Sequence, residues 1–383
     1  MLLQWNNIYH CNILIIKHIM KINEVISYLD NRFQPALQES YDNSGFLLGS
    51  RDEEIRGLLV AVDLCMEVID EALQYGCNLI VTHHPFIFSG IKRITTDSLT
   101  GRMVYRLVQN NIAVYAAHTN LDNLSTGVNA ILAKKLGITN THILAPMHDK
   151  LRKLAVYVPS SYATKVRDAI FEAGAGGIGN YDRCSFNAMG KGTFRAGSGA
   201  TPFVGQAGEL HTEEEVKIEV IYPIMHERRI VQTLKAAHPY EEPAYDCIPL
   251  TNQWDSVGAG MIGMLPKPMP TVEFLKKVKE TLGLPILRHS ELCLSEVQSV
   301  AICGGAGSFL IGNAKAAKAD IYLTGDLKYH DFQQAESTII IADIGHFESE
   351  QFVKELIYWE ISEKFSNFVS RISAKSRGFV LYI

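Results

Sequence analysis

Two adjacent histidines, His83 and His84, close a short apolar run from Cys77 to Thr82, and Pro85 follows at once. No other feature constrains the fold as tightly. A buried strand ordinarily ends in turn residues rather than in two imidazoles. Pro85 lacks an N–H and holds the residue before it extended. The strand therefore stops with two nitrogen donors at its rim, where α/β proteins build their sites. Taken alone, the dipeptide fits a metal site, a surface pair, or histidines that only support a neighbouring site.

Two further segments repeat the pattern. Ile339 to Ile344 reads as a buried strand and runs into Gly345-His346-Phe347-Glu348-Ser349-Glu350, ahead of a helical pattern at Phe352, Leu356, Ile357 and Ile361. His346 and Glu350 are four apart, so at a helix start they share one face. Acids complementing a helix dipole would account for Glu348 and Glu350 but not for His346. Asn111 to Ala117 is a third apolar strand, followed by His118-Thr119-Asn120-Leu121-Asp122. The combined donors are His83, His84, Asp122, His346 and Glu350. Imidazole with carboxylate suits zinc, iron, manganese, cobalt or nickel and argues against calcium or magnesium alone. Five donors are one more than a tetrahedral zinc needs. With one carboxylate bridging, they can hold two divalent ions about 3.5–4 Å apart, water completing each shell.

A chain of 383 residues suggests two or three domains. Its 36 Lys and Arg against 41 Asp and Glu form no like-charged block, so it shows no nucleic-acid footprint. The seven cysteines are scattered without a C-x-x-C pair, which suits reduced thiols in a cytoplasm. Ile13 to Ile16 is too short an apolar run to span a bilayer, and Lys17 and His18 end it. No small-residue cleavage site follows. Residues 1–19 read as an unstructured extension, with Met20 as the natural start.

From Met20 to about residue 150, apolar strands alternate with helices, the pattern of a sheet covered by helices on its faces. Residues 151–252 change register into two strand–helix–strand units, a small α+β module. Within it, glycine is dense from Gly174 to Gly208, where Gly197 to Pro202 reads as loop or hairpin tips, and Asn252 to Val257 reads as a polar linker. From residue 253 to 383 alternation resumes, with Phe379 to Ile383 as a last short strand. The donors come from the first and third segments, so the expected fold is an α/β, two-lobed metal-binding body of helix-covered mixed sheets interrupted by the α+β insert.

Cys303-Gly304-Gly305-Ala306-Gly307-Ser308 lies between a strand and a helix and is suited either to a phosphate or oxyanion or to tight strand–helix packing. It fits neither a dinucleotide fingerprint nor a P-loop. Asp326 reads as the N-cap of the next helix. His330, one turn on, is either a general acid or base facing the cleft or a surface histidine. His238-Pro239-Tyr240-Glu241-Glu242-Pro243 reads as a structural or interface turn. Ser98, Ser308 and Ser349 have no convincing His-Asp partners, which weakens a serine hydrolase reading.

Together, Thr82-His83-His84-Pro85, His118-Thr119-Asn120-Leu121-Asp122, Leu323-Thr324-Gly325-Asp326 and Gly345-His346-Phe347-Glu348-Ser349-Glu350 resemble the dinuclear metal-centre proteins called GTP cyclohydrolase 1 type 2 homologues, or the NIF-three-like family. The resemblance runs from about Met20 to the C-terminus. It implies that His83, His84, Asp122, His346 and Glu350 are the metal ligands, with Glu350 as the bridge. The middle segment resembles the ferredoxin-like, PII/CutA-like insert of the longer bacterial members. The resemblance also implies a homo-oligomer, a toroidal hexamer with sites facing an inner cavity. The functional expectation is a cytoplasmic, hydrolase-like protein acting on a nucleotide, by cyclohydrolase-type ring opening or phosphoester cleavage, with His118 or His330 moving protons. The alternative is a non-enzymatic metal-binding or regulatory assembly protein that serves metal homeostasis or acts through partners.

Overall fold

Parallel strands buried on both faces organise the chain. The structure, a computed structural model, describes residues 20–383; the extension expected before Met20 lies outside the described residues. The first sheet has five strands in the order Gly45–Leu48, Ala113–Ala116, Leu79–Thr82, Gly57–Ala61 and Val369–Ile372. Every residue of its three central strands is buried, which is why their sequences read as unbroken apolar runs. Alternate side chains serve opposite faces. Leu58, Val60, Leu79, Val81 and Tyr115 pack under helices Ile22–Phe33 and Val353–Lys364, while Leu59, Ala61, Ile80 and Val114 pack under Met66–Gln74 and Leu99–Gln109. Helix Ile22–Phe33 buries Ile22, Val25, Ile26, Leu29 and Phe33, one stripe at helical spacing.

The second sheet has six strands in the order Arg288–His289, Ile340–Asp343, Ile321–Gly325, Glu296–Ala306, Trp254–Pro270 and Thr139–Met147. Strands Glu296–Ala306, Ile321–Gly325 and Ile340–Asp343 run parallel, and Trp254–Pro270 runs antiparallel to both its neighbours. Helices Val128–Leu136 and Thr271–Leu282 cover one face and Ile311–Ala316 the other. Residues 151–250 form a third, wholly antiparallel sheet in the order Phe186–Arg195, Leu210–Pro223, Leu151–Pro159 and Tyr245–Leu250. Its two helices, Ala163–Glu172 and Glu227–Ala237, lie on one face only. The α/β class and the helix-covered mixed sheets are as the sequence predicts.

Two local expectations are corrected, and two strands escape a hydrophobicity reading. Gly197 to Pro202 is loop, but the glycine-dense stretch ahead of it contains a full strand, Phe186–Arg195, paired along its whole length with Leu210–Pro223. That strand is exposed over most of its length, so no apolar pattern marks it. The polar linker is instead the start of Trp254–Pro270. Thr139–Met147 is an edge strand whose first four residues are exposed, which hides it from a hydrophobicity reading. No strand forms over Phe379 to Ile383; Val369–Ile372 pairs instead, parallel with Gly57–Ala61.

That last strand crosses back from the end of the chain to the first sheet. Glu71, buried on helix Met66–Gln74, anchors the segment after it. Its carboxylate accepts the Ala374 N–H at 3.0 Å, the Lys375 N–H at 3.3 Å and the Ser373 hydroxyl. Substituting Glu71→Ala strands these donors, at a cost of about 1–3 kcal/mol. Urea unfolding should report that loss, and limited proteolysis should show earlier cutting near residue 370; unchanged protection would remove Glu71 as the anchor.

Candidate metal centre

The carboxyl ends of the parallel strands in the first two sheets face each other, and the candidate donors lie in the gap. His83 and His84 follow strand Leu79–Thr82 and are still held to the neighbouring strand's end, since both backbone N–H groups donate to the Val62 carbonyl at 3.0 Å. His118 follows Ala113–Ala116, and Asp122 ends the short helix Thr119–Asp122. Strand Ile340–Asp343 leads through Gly345, at φ 74°, into helix His346–Glu350. His346 and Glu350 thus sit on one turn of helix opposite the histidine pair.

Four imidazoles are fixed in the same way. Each Nδ1 lies 2.7 Å from an oxygen: His83 from the Ala117 carbonyl, His84 from Asp63, His118 from Asp42 and His346 from Asp326. An acceptor at Nδ1 keeps the proton there and turns Nε2 outward as the donor atom, the arrangement typical of metal-bound histidine. The Nε2 atoms of His84 and His346 are 3.3 Å apart. Glu350 Oε2 lies 3.0 Å from His84 Nε2 and 3.2 Å from His346 Nε2, while Oε1 lies 3.6 Å from His83 Nε2. His83 Nε2 is 3.5 Å from Asp122 Oδ1.

Three of these atoms, His83 Nε2, Asp122 Oδ1 and Glu350 Oε2, are buried without any hydrogen bond. Buried polar atoms are rarely left so, and three together imply a partner other than protein. His83, His84 and Glu350 offer ligand atoms all within 4.8 Å of one another, close enough to hold one ion. The donor set and the orphaned atoms fit a divalent metal.

Without a cation, protons balance the charges. Burial alone lowers the His84 pKa, but Asp63 and Glu350 outweigh it and push it up to about 10. For His346, Glu350 and Asp326 outweigh burial in the same way and raise it to about 9. Burial keeps His83 below its ordinary value. Burial also raises Asp122, and repulsion from Glu350 adds to that, whereas the histidines around Glu350 overcome its burial and hold it well down. One carboxylate up and its neighbour down is the mark of two acids sharing a small volume.

Glycine permits the close approach. Gly305 has φ 64°, and a side chain there would overlap Glu350 Oε1. Of the two roles the sequence leaves open for this turn, the hydrogen bonds favour tight packing: the Gly304 N–H donates to Asn129 and the Gly305 N–H to Ser349, both at 2.9 Å, so both are spent holding the fold. Ser349 is buried and serves that purpose. Asp326 is not an N-cap either. It sits at φ 56° and orients His346, while Lys328 caps helix Tyr329–Gln333. His330 on that helix is exposed, stacks edge-on against Tyr329 and does not line the site cavity. His118 does line it, with ring centres 5.4 Å from His83 and 5.3 Å from His84. His238 takes the structural role expected of it, bound to the Tyr157 carbonyl at 3.0 Å.

Sequence reasoning missed Asp42, Asp63 and Arg288. Asp63 follows strand Gly57–Ala61 and obeys the same strand-end grammar, so it was findable. Asp42 lies in a segment that reads as an ordinary turn. Arg288 sits on a two-residue edge strand and lines the cavity, which measures about 1290 Å³ and also receives Lys328, Phe309 and the C-terminal Phe379 and Tyr382.

Residues 20–376 match the family described as Duf34/NIF3 (NGG1p interacting factor 3). The chain belongs to the Duf34/NIF3 family. Among its Duf34/NIF3 relatives, a Bacillus subtilis protein named GTP cyclohydrolase 1 type 2 homolog is 40% identical over 333 residues, 86% of this chain and 89% of the relative. A Halalkalibacterium halodurans protein of the same name is 39% identical over 332 residues, covering 85% and 89%. The crystal structure of a Bacillus cereus protein related to NIF3 superposes with a TM-score of 0.81 at 36% identity, over 95% of this chain and 100% of that one.

The carboxylates behind the histidines supply a direct check on the site. Outer partners of this kind typically contribute 10–100-fold to metal affinity. Asp326→Ala should weaken zinc or manganese binding by about that factor, with the circular dichroism spectrum unchanged. Competition with a chromophoric chelator measures it, and unaltered affinity would mean His346 is not a ligand.

Proposed function

We propose that this chain is a hydrolase-like protein holding two divalent metal ions per subunit through His83, His84, Asp122, His346 and Glu350, and acting on a small phosphate-bearing molecule such as a nucleotide. The observation that carries this reading is the convergence of three buried, unbonded donor atoms on His83, Asp122 and Glu350. Glu350 is suited to bridge, because Oε1 faces His83 and Oε2 faces His84 and His346. His83 with Asp122 would then complete one position, and His84 with His346 the other. Zinc, iron, manganese, cobalt and nickel all suit these donors.

When bound, such ions supply Lewis acidity and a water that ionises near neutral pH. The chain's own residues do the remainder. His118, its Nδ1 committed to Asp42, can take or give a proton at Nε2. Burial raises the Asp42 carboxyl, but hydrogen bonds from His118, Thr119 and Ser44 outweigh it and hold the group well below the carboxylate range, so it stays ionised and keeps the imidazole oriented. Arg288, braced by Asp343 and by the Leu327 carbonyl at 2.9 Å, brings a guanidinium to the cavity wall, and Lys328 adds a second cation. These suit a phosphate. Phe309, about two-thirds exposed, offers a surface for a planar base. Ring opening of a guanine nucleotide and phosphoester cleavage both fit this arrangement, and the names of the relatives favour the former.

The same reading takes the family's hexamer as the assembly and the cytoplasm as the compartment. Among the described residues the cysteines are all free, as a reducing compartment would have them. Among the described residues, no helix is long and apolar enough to cross a membrane.

Metal-replete protein assayed on a panel of nucleotides and phosphoesters should turn over at least one member, and His84→Ala should abolish that activity. Two ions per chain with no turnover on any member would favour the metal-binding or regulatory alternative. Arg288→Ala should raise KM for the phosphate-bearing substrate by about tenfold or more, since a charged hydrogen bond is worth roughly 1.5–3 kcal/mol, with a smaller change in kcat. An unchanged KM would remove Arg288 from the binding surface.

A further inference from the structure

The antiparallel sheet of residues 151–250 has helices on one face only. Along strand Leu210–Pro223, Val216, Ile218, Val220 and Tyr222 point at those helices. Alternation puts Glu215 on the opposite face, which should be wet. Glu215 is nevertheless only 8% exposed. A loop around 196–203 and the turn around 240–244 border, with the sheet, a cavity of about 640 Å³ that Glu215 lines.

The cavity is shaped around that carboxylate. Gly190 pairs in register with Glu215, and a side chain on Gly192 would overlap the carboxylate oxygens. The Tyr240 hydroxyl donates to Glu215 Oε1 at 2.9 Å. Among the described residues no ion pair to Glu215 forms. Lys217, on the same wall, is engaged by Glu219 at 2.6 Å, and Lys191 lies further along the wall. Two more carboxylates, Glu241 and Glu242, line the cavity, and Glu241 accepts the Thr201 N–H at 3.1 Å. Four rings, Tyr157, Phe194, Phe203 and Tyr240, complete it. Tyr240 lies 5.7 Å from Phe194 and 6.3 Å from Phe203, centre to centre.

A buried carboxylate without a cation is costly. Aromatic faces carry negative charge density and attract cations. Both features disfavour an anionic ligand. A hard metal ion is disfavoured as well, because it needs six or more oxygen donors and the rings supply none. The volume is that of a metabolite-sized site.

We propose that this cavity binds a small organic cation, an ammonium or guanidinium whose charge sits against Glu215 and whose methyl or methylene surface contacts Phe194, Phe203 and Tyr240. The site shares no residue with the metal centre and stands whether or not that centre is catalytic.

Calorimetric titration of the full-length, metal-loaded protein with choline and with agmatine tests this, with neohexanol and butylurea as neutral counterparts of similar shape. At least one cation should saturate one site per chain at millimolar concentration or below. Its neutral counterpart should bind about tenfold more weakly or not at all. Glu215→Gln should weaken the cation by a similar factor, Glu215→Asp should restore part of it, and Phe194→Ala should weaken it with the charge intact. The comparison of cation with neutral counterpart uses unaltered protein, so it decides the matter even if a variant fails to fold. Absence of saturable binding by both cations, or equal binding of a cation and its neutral counterpart, would overturn the proposal.

Discussion

The structure depends on one buried carboxylate. Glu350 is held in the gap between two sheets, nearly out of reach of water, and a charge so placed must have a positive counterpart. Without a metal ion, the counterpart is protons on His84 and His346. An ion held by the same nitrogen atoms would require those protons to leave. The surroundings follow from accommodating that group. Glycine at 305 lets the backbone pass beside it, Gly325 does the same beside the backbone of His346, and Ser349 ties the Gly305 N–H so that the turn cannot spring away.

Positioning is delegated to backbone that has little freedom to move. His83 and His84 are continuous with a strand buried on both faces, and His118 leaves the neighbouring strand of the same sheet. Asp63 and Asp326, which aim two of the imidazoles, likewise sit just past strand ends. Donors and their orienting partners therefore share one rigid framework. Side chains on it lose little further freedom when an ion arrives, which favours tight binding.

The legible parts of the sequence were those with strong one-dimensional signatures. Doubly buried parallel strands appear as apolar runs, so the central strands of the first two sheets, and the candidate donors at their ends, could be read directly. Exposed edge strands carry no such signature, which is why Thr139–Met147, Phe186–Arg195 and Val369–Ile372 were hidden. The role of Asp326, and the choice between the two roles open to the glycine turn, are hidden for a different reason. Each depended on a residue remote in sequence, His346 in one case and Asn129 and Ser349 in the other. His330 shows the limit of helical spacing as an argument: one turn past a strand end was not enough to bring it into the cavity, because Asp326 in the left-handed region and the buried Leu327 redirect the chain.

The return of Val369–Ile372 to the edge of the first sheet has a consequence for biosynthesis. Chains emerge from the ribosome amino end first and begin to organise as they do. Here the first sheet waits for a partner that lies far downstream of its other strands, and the histidine pair waits for His346 and Glu350, also far downstream. A polypeptide made only as far as the second sheet's first strands can therefore assemble neither the finished first sheet nor the cluster of His83, His84 and Glu350.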